Sequence, residues 1–199
     1  MSQPALHTQR AAERREQILD AASTCFAKDG FHAATIAEIS RLAGMSPGHI
    51  YHFFENKEAI VSGIVQRVTE RWVGLLNPSP TDKDIAETIA DRATLGMRER
   101  TRADFVGLWL EVLAETARNV SLARAVHAAD RQLRDAVIEQ IGYLRSMLGI
   151  DTGTPHDVIA DVVLALYEGL SNRSVSNPDF DVTRLEAVLV ATTRTVIEA

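Results

Sequence analysis

The stretch 35–57, TIAEISRLAGMSPGHIYHFFENK, leaves few folds open to this chain. It reads as two short helices joined by a tight turn. Thr35 is placed to cap the first, and Glu38 completes a capping box in which each side chain bonds the other's backbone N–H. Ile36, Ile39 and Leu42 recur at helical spacing and give that helix one apolar face. Gly44, between Ala43 and Met45, supplies the turn, because glycine takes a positive φ without a Cβ clash. Ser46 caps the second helix, and Pro47 takes its first position, where a missing N–H costs nothing. Two consecutive, fully punctuated short helices make a helix-turn-helix, with the motif over 36–54. In its second helix Pro47 and Gly48 allow close approach of the backbone to a groove, and His49, Tyr51 and His52 project outward. Ile50 and Phe54, four apart, anchor the other side. A tyrosine hydroxyl there can bond a phosphate, and the histidines can reach phosphates or base edges.

The remaining chain reads as helices without strands. A first helix is expected from about Arg10 to Asp29, ending at Gly30, after a polar and disordered arm over 1–9. Asn56 caps a fourth helix carrying Ile60, Ile64, Val65, Val68 and Trp72. Asn77-Pro78-Ser79-Pro80 stops it, and Thr81 and Asp82 restart a helix to about Arg100. Phe105, Trp109, Val112 and Leu113 stripe the next, with Asp104, Glu111, Glu115 and Arg118 on its wet face. Ser121 is the expected cap of a long helix holding the 3.6 period to Gly149. Thr154-Pro155 opens another, and a loop over 172–181 precedes the last, Val182 to about Glu198. The expectation is an all-α protein of about nine helices: a three-helix head over 10–55 and a larger helical body over 56–199.

Composition removes several classes. The chain has 199 residues, 46% of them apolar and 6% aromatic, which suits helices packed on helices. Its one cysteine, Cys25, forms no internal disulfide and reads as a buried thiol. The longest apolar segment, 158–170, is interrupted by Asp161 and Glu168 and is too short to span a bilayer, so a cytoplasmic location and no membrane partner are expected. Glu-x-x-His, His-Glu-x-x-His and phosphate-loop patterns are all missing, and the Gly-x-Ser-x-Gly spacing at 44–48 falls in the motif's turn, where Ser46 is read as a helix cap. The chain is therefore read as no enzyme, with no cofactor. His49 and His52 lie three apart on one helix face, yet no Cys or carboxylate nearby completes a metal site. A purely protein-binding scaffold would not need the Ser-Pro-Gly-His opening of the second motif helix. Charge speaks against DNA: the net charge is −6, and residues 1–60 carry six Lys/Arg against seven Asp/Glu. Local placement answers this in part, since Arg10, Arg14 and Arg15 cluster and the helix N-termini present free N–H groups.

The same stretch resembles the DNA-binding region of TetR-type transcriptional regulators. The pattern is met by Ile18, Ala21, Ala22, Phe26, Gly30, Phe31, Thr35, Ile36, Ala43, Gly44, Ser46, Gly48, Tyr51, Phe54, Lys57 and Glu58. It covers roughly the first third of the chain. Ser40 stands where the family usually has Ala, and Phe53 where His or Tyr is common. The resemblance implies phosphate contacts at Thr35, Ser46, Tyr51 and Lys57, with Pro47, Gly48, His49 and His52 nearest the bases. It implies a small effector held in the body, for which the aromatic positions Phe105, Trp109, Tyr143 and Tyr167, with Leu113 and Met147, are candidates. The acidic balance of residues 61–199, 20 Asp/Glu against 15 Lys/Arg, points to a mainly apolar effector that is neutral or cationic. A homodimer is implied through the last two helices, with Val158, Val162, Leu166 and Leu170 on one and Leu185, Val188, Leu189, Thr192 and Val196 on the other. Such a repressor would read double-stranded DNA at a palindromic operator with half-sites roughly 34–36 Å apart.

Overall fold

A computed structural model describes residues 3–76, 85–177 and 179–199, apart from the side chains of 3–7, 103 and 104. Among these residues there are nine α-helices and one 3-10 turn, with no strand. The helices are α1 Gln3–Ala33, α2 Ile36–Leu42, α3 Pro47–Phe53, α4 Lys57–Leu76, α5 Ile85–Arg100, α6 Ala103–Thr116, α7 Val120–Leu148, α8 His156–Ser176 and α9 Glu186–Glu198. The Asn77-to-Pro80 breaker and the restart at Thr81 lie outside the described residues.

Several boundaries differ from the sequence expectation, each for a local reason. α1 starts at Gln3 rather than near Arg10, so the arm is helical from that point. Its proline falls in the first turn, where no intrahelical N–H is required. Gly30 breaks the helix with φ 75° and ψ 168°, and the chain turns there before residues 31–33. The cap of α7 is Asn119, whose Oδ1 accepts from the Leu122 N–H at 3.0 Å, in place of Ser121. Pro155, not Thr154, flanks α8, because the Thr154 hydroxyl donates instead to the Ala199 carbonyl at 3.0 Å. α8 continues to Ser176 through half of the expected loop, and residues 182–185 form a 3-10 turn before α9.

The chain folds into two compact units. One comprises the residues up to Arg67 with Gly107–His127, the other Val68–Val106 with Ala128–Ala199. In the first unit Ile18, Leu19, Ala22, Phe26, Ile39, Ile50, Ile60 and Ile64 are all buried, so α1 to α4 each give an apolar stripe to one core. Cys25 is buried among them, and loss of solvation raises its thiol pKa, which makes it unreactive. Glu111 is exposed, as expected of a wet face, but Glu115 is buried. The Glu111 carboxylate accepts from the Phe31 N–H at 3.4 Å, and buried Glu115 meets His32 at 3.1 Å and Arg118 at 3.3 Å.

The second unit packs α5, α8 and α9 against one another around Ala93, Met97, Tyr167, Leu170 and Leu189. Leu133, Val137 and Ile141 of α7 close on Ile159 and Ala160 of α8. Arg134 does not pair along its own helix with Asp130. It makes a two-pronged contact with Asp161, at 2.6 and 3.0 Å, and reaches Asp157 at 3.5 Å. A carboxylate on the facing helix matches the guanidinium fork better than a helical neighbour does.

Two glycines of α4, Gly63 in the first unit and Gly74 in the second, differ in how closely they are packed. A Cβ at Gly63 would lie 3.0 Å from Phe54, 3.1 Å from Leu19 and 3.2 Å from Arg15, whereas one at Gly74 meets nothing within 4 Å. Gly74→Ala is expected to raise stability by about 0.5–1 kcal/mol through helix propensity. Gly63→Ala meets an overpacking cost of about 1–3 kcal/mol that outweighs the same gain. Thermal melts of the two variants should move in opposite directions.

Candidate nucleic-acid interface

The recognition surface is built from the caps outward. Thr35 Oγ1 accepts from the Glu38 N–H at 3.2 Å and fixes the start of α2. The chain leaves α2 through Ala43 and Gly44, whose φ is 62°. Gln17 of α1 pins this turn by donating to the Ala43 carbonyl at 2.8 Å. Ser40 is buried, and its hydroxyl donates to the Ala37 carbonyl at 2.9 Å, so a polar residue fits where alanine is usual. Ser46 Oγ accepts from the His49 N–H at 3.3 Å, and Pro47 opens α3.

α3 is divided cleanly between two faces. Ile50 and Phe54 are buried, and the Arg15 guanidinium lies over the Phe54 ring at 5.2 Å. Ser46, Pro47, Gly48, His49, Tyr51 and His52 are exposed. His49 stacks on Phe53 at 5.4 Å with 18° between the planes, and His52 meets Phe53 edge-on at 5.3 Å. Phe53 therefore holds both imidazoles by contact although it brings no polar group. Exposed Thr35 stands at the N-terminus of α2.

Lys57 departs from its expected role. Its ammonium donates to three backbone carbonyls, those of Phe31, His32 and Ala34, and lies 4.4 Å from the centre of the Phe31 ring. All three N–H donors are engaged in holding the corner between α1 and α2, which leaves none for a phosphate. Among the described residues no three His, Cys, Asp or Glu side chains gather as a metal site. No helix among them is long and apolar enough to cross a membrane.

The body contains a cavity of about 140 Å³ within the second unit. Of the six candidate effector residues only Tyr167 lines it. Phe105 instead packs edge-on against Trp72 at 5.0 Å, and Trp109 belongs to the first unit. Leu113, Tyr143 and Met147 sit on exposed helix faces. The actual lining includes Trp72, Ile89, Ala93, Val137 and Ile141, with polar groups from Arg100 and Gln140. The Tyr167 hydroxyl is within 3.2 Å of the Thr193 hydroxyl. Sequence reasoning favoured the large aromatics and passed over the arginine.

The candidate dimer residues also divide. Val158, Val162, Val188 and Thr192 are exposed, and Leu166, Leu185 and Val196 are half-buried. Leu170 and Leu189 are enclosed in the unit's own core with Met97 and Tyr167, so neither is a surface group.

A rigid apolar core with a capped, outward-facing second motif helix defines a helix-turn-helix DNA-binding regulator. The pattern described as "Bacterial regulatory proteins, tetR family" matches residues 18–64, and "BetI-type transcriptional repressor, C-terminal" matches residues 92–198. The chain belongs to the tetR family, as a DNA-binding transcriptional repressor rather than an enzyme. It is 28% identical over 195 residues to the HTH-type transcriptional repressor Rv1474c of Mycobacterium tuberculosis, spanning 94% of each chain. The repressor AcnR of Corynebacterium diphtheriae is 25% identical over 186 residues, covering 94% of this chain and 93% of its own. Among solved structures, Salmonella enterica GusR superposes with a TM-score of 0.76 at 24% identity, over 94% of this chain and 96% of that one.

The contrast between Lys57 and Tyr51 is testable. Lys57→Ala should destabilise the protein by on the order of 1–3 kcal/mol, since it frees three carbonyls held by a charged donor. Tyr51→Ala, at an exposed position, should stay within about 0.5 kcal/mol of the parent while weakening DNA binding. Melting curves beside gel shifts separate the two effects; an unchanged melt for Lys57→Ala would return that residue to the DNA contact.

Proposed function

We propose that the chain acts in the cytoplasm as a homodimer on a palindromic operator and is released from it by a small, mainly apolar effector. The observation that carries the reading is the division of α3, with Ile50 and Phe54 buried in the core and His49, Tyr51 and His52 exposed. Residues 10–55 form the DNA-reading segment, and residues 56–199 serve effector binding and dimerisation. Thr35, Ser46 and Tyr51 contact phosphates, while Pro47, Gly48, His49 and His52 lie nearest base edges. One such helix covers too few base pairs for useful specificity, so two copies read successive major grooves on one face of the duplex.

Support for the dimer comes from what α8 and α9 leave uncovered. Val158 and Val162 are followed on α8 by exposed Ala165 and Gly169, and exposed Ala187, Val188, Ala191, Thr192 and Thr195 line one shallow groove or its edge on α9. Small and β-branched residues on adjoining helices allow close packing of a symmetry mate, and a two-fold contact presents the same patch from both sides. Support for the effector is the largely apolar cavity of the body. A ligand there acts only through its different affinity for the DNA-competent and released states.

Replacing Val162 with Arg and Val188 with Glu should give a folded monomer by sedimentation, since both side chains are exposed. Loss of the second head should then weaken binding to a palindromic operator by about 100-fold or more, with little change on a single half-site. A variant that stays dimeric, or a monomer that binds the full operator as tightly as the parent, would sink the arrangement.

A further inference from the structure

Arg100 ends α5 at the wall of the body's cavity and is only 6% exposed. Its guanidinium lies 4.0 Å from the centre of the Trp72 ring. Among the described residues no carboxylate reaches it at ion-pair distance, and Glu168 and Asp130 attract it only from further away. Loss of solvation dominates and brings its pKa down to about 10, so the group remains a cation at neutral pH. Glu99 also borders the cavity, but its carboxylate is bound to Arg71 at 2.8 Å and Arg102 at 3.5 Å. Arg92 stands at the same wall. Gln140 is 5% exposed, and its Oε1 has no hydrogen-bond partner.

A buried charge without a counter-ion is costly, and so is a buried amide oxygen without a donor. Both line one cavity whose other walls are mostly hydrocarbon, which is the usual composition of a small-molecule site. The volume of about 140 Å³ is close to that of an engineered apolar cavity in another protein that takes benzene, at about 150 Å³. We propose that this cavity binds a small organic monoanion: a carboxylate on Arg100, carried by an apolar body about the size of a benzene ring. Gln140 adds one polar contact, its amide rotating to present N–H or C=O. The acidic balance of the body pointed to a neutral or cationic ligand. At the site itself the local cation decides, because attraction in a buried setting is screened much less than that of hydrated surface carboxylates.

The regulatory meaning of this anion site rests on the effector reading above, but its chemistry is testable without DNA. Benzoate and hexanoate, with benzamide, benzyl alcohol and benzylamine as matched controls, would be titrated into the full chain by calorimetry and thermal shift. The carboxylates should bind at least about tenfold more tightly than the neutral controls, and benzylamine least of all. Arg100→Met should remove this preference while keeping the neutral ligands, and Arg100→Lys should retain it in weakened form. Equal or tighter binding of benzamide, a preference that survives in Arg100→Met, or no binding by any of the five would overturn the proposal. Should Arg100→Met fail to fold, the ranking of the five ligands on the parent protein still decides. Gel shifts with the same compounds judge the effector reading separately: carboxylates that bind without releasing the operator leave the anion site standing and remove its role as the trigger.

Discussion

Everything the motif does depends on how the corner between α1 and α2 is held. Gly30 ends the main run of α1 with a backbone conformation that other residues rarely adopt, and the carbonyls just beyond it have no helical N–H to accept from. Lys57 supplies the missing donors to Phe31, His32 and Ala34, while Glu111 takes the Phe31 N–H. A cation beside carbonyls at a helix C-terminus is also favoured by the dipole. α2 begins two residues beyond Ala34, so this corner sets where the helix-turn-helix starts. The Phe31 ring beneath the ammonium adds a further attraction.

From that corner the recognition helix inherits its rigidity in stages. The Gln17 amide fixes the turn at Ala43, Ser46 fixes the first turn of α3, and Ile50 and Phe54 seat its inner face. Gly63 eases the last of these, because a Cβ there would lie only 3.0 Å from Phe54 and 3.1 Å from Leu19, tighter than most side chains pack. A seven-residue helix has little stability of its own, since nucleation costs more than so few hydrogen bonds return. Its shape is therefore imposed by the core. His49, Tyr51 and His52 stay exposed for this reason, since the core is held by the opposite face of the helix.

Legibility followed the range of the interactions. Thr35, Gly44, Ser46, Pro47 and Asn56 act within three or four residues, so the chain states their roles locally and the helix-turn-helix could be read directly. Lys57 could not be read in that way. Its partners lie 23 to 26 positions earlier, and a lysine opening a helix looks the same whether it faces carbonyls or phosphates. Glu111 lies exposed, as its helix face suggests, yet accepts from a backbone N–H 80 positions away, a partner that spacing does not reveal. Periodicity identified the apolar sides of α8 and α9 but not their partners, which is why Leu170 and Leu189 were assigned to a dimer although they fill the unit's own core. The cavity was hidden for a similar reason: its walls come from several helices, and its chemistry from an arginine that charge counting treats as surface.

The buried polar groups of the body show two different solutions to the same cost. Arg145 is nearly inaccessible, yet one guanidinium N–H meets the Thr154 carbonyl at 3.0 Å and another the Thr152 hydroxyl at 2.6 Å. Those bonds close the loop between α7 and α8 and satisfy two of the three guanidinium nitrogens of Arg145, leaving only Nε without a partner. Arg100 has only the face of Trp72, beside open volume and the unpaired Gln140 oxygen. Protein interiors are normally close-packed, so a void of this size gives up dispersion contacts as well as hydrogen bonds. A ligand that fills the space and meets the charge recovers both at once. That recovery is realised only in conformations where the cavity keeps its shape. A ligand of matching charge therefore favours such conformations over the others, which is the differential affinity that a switch requires.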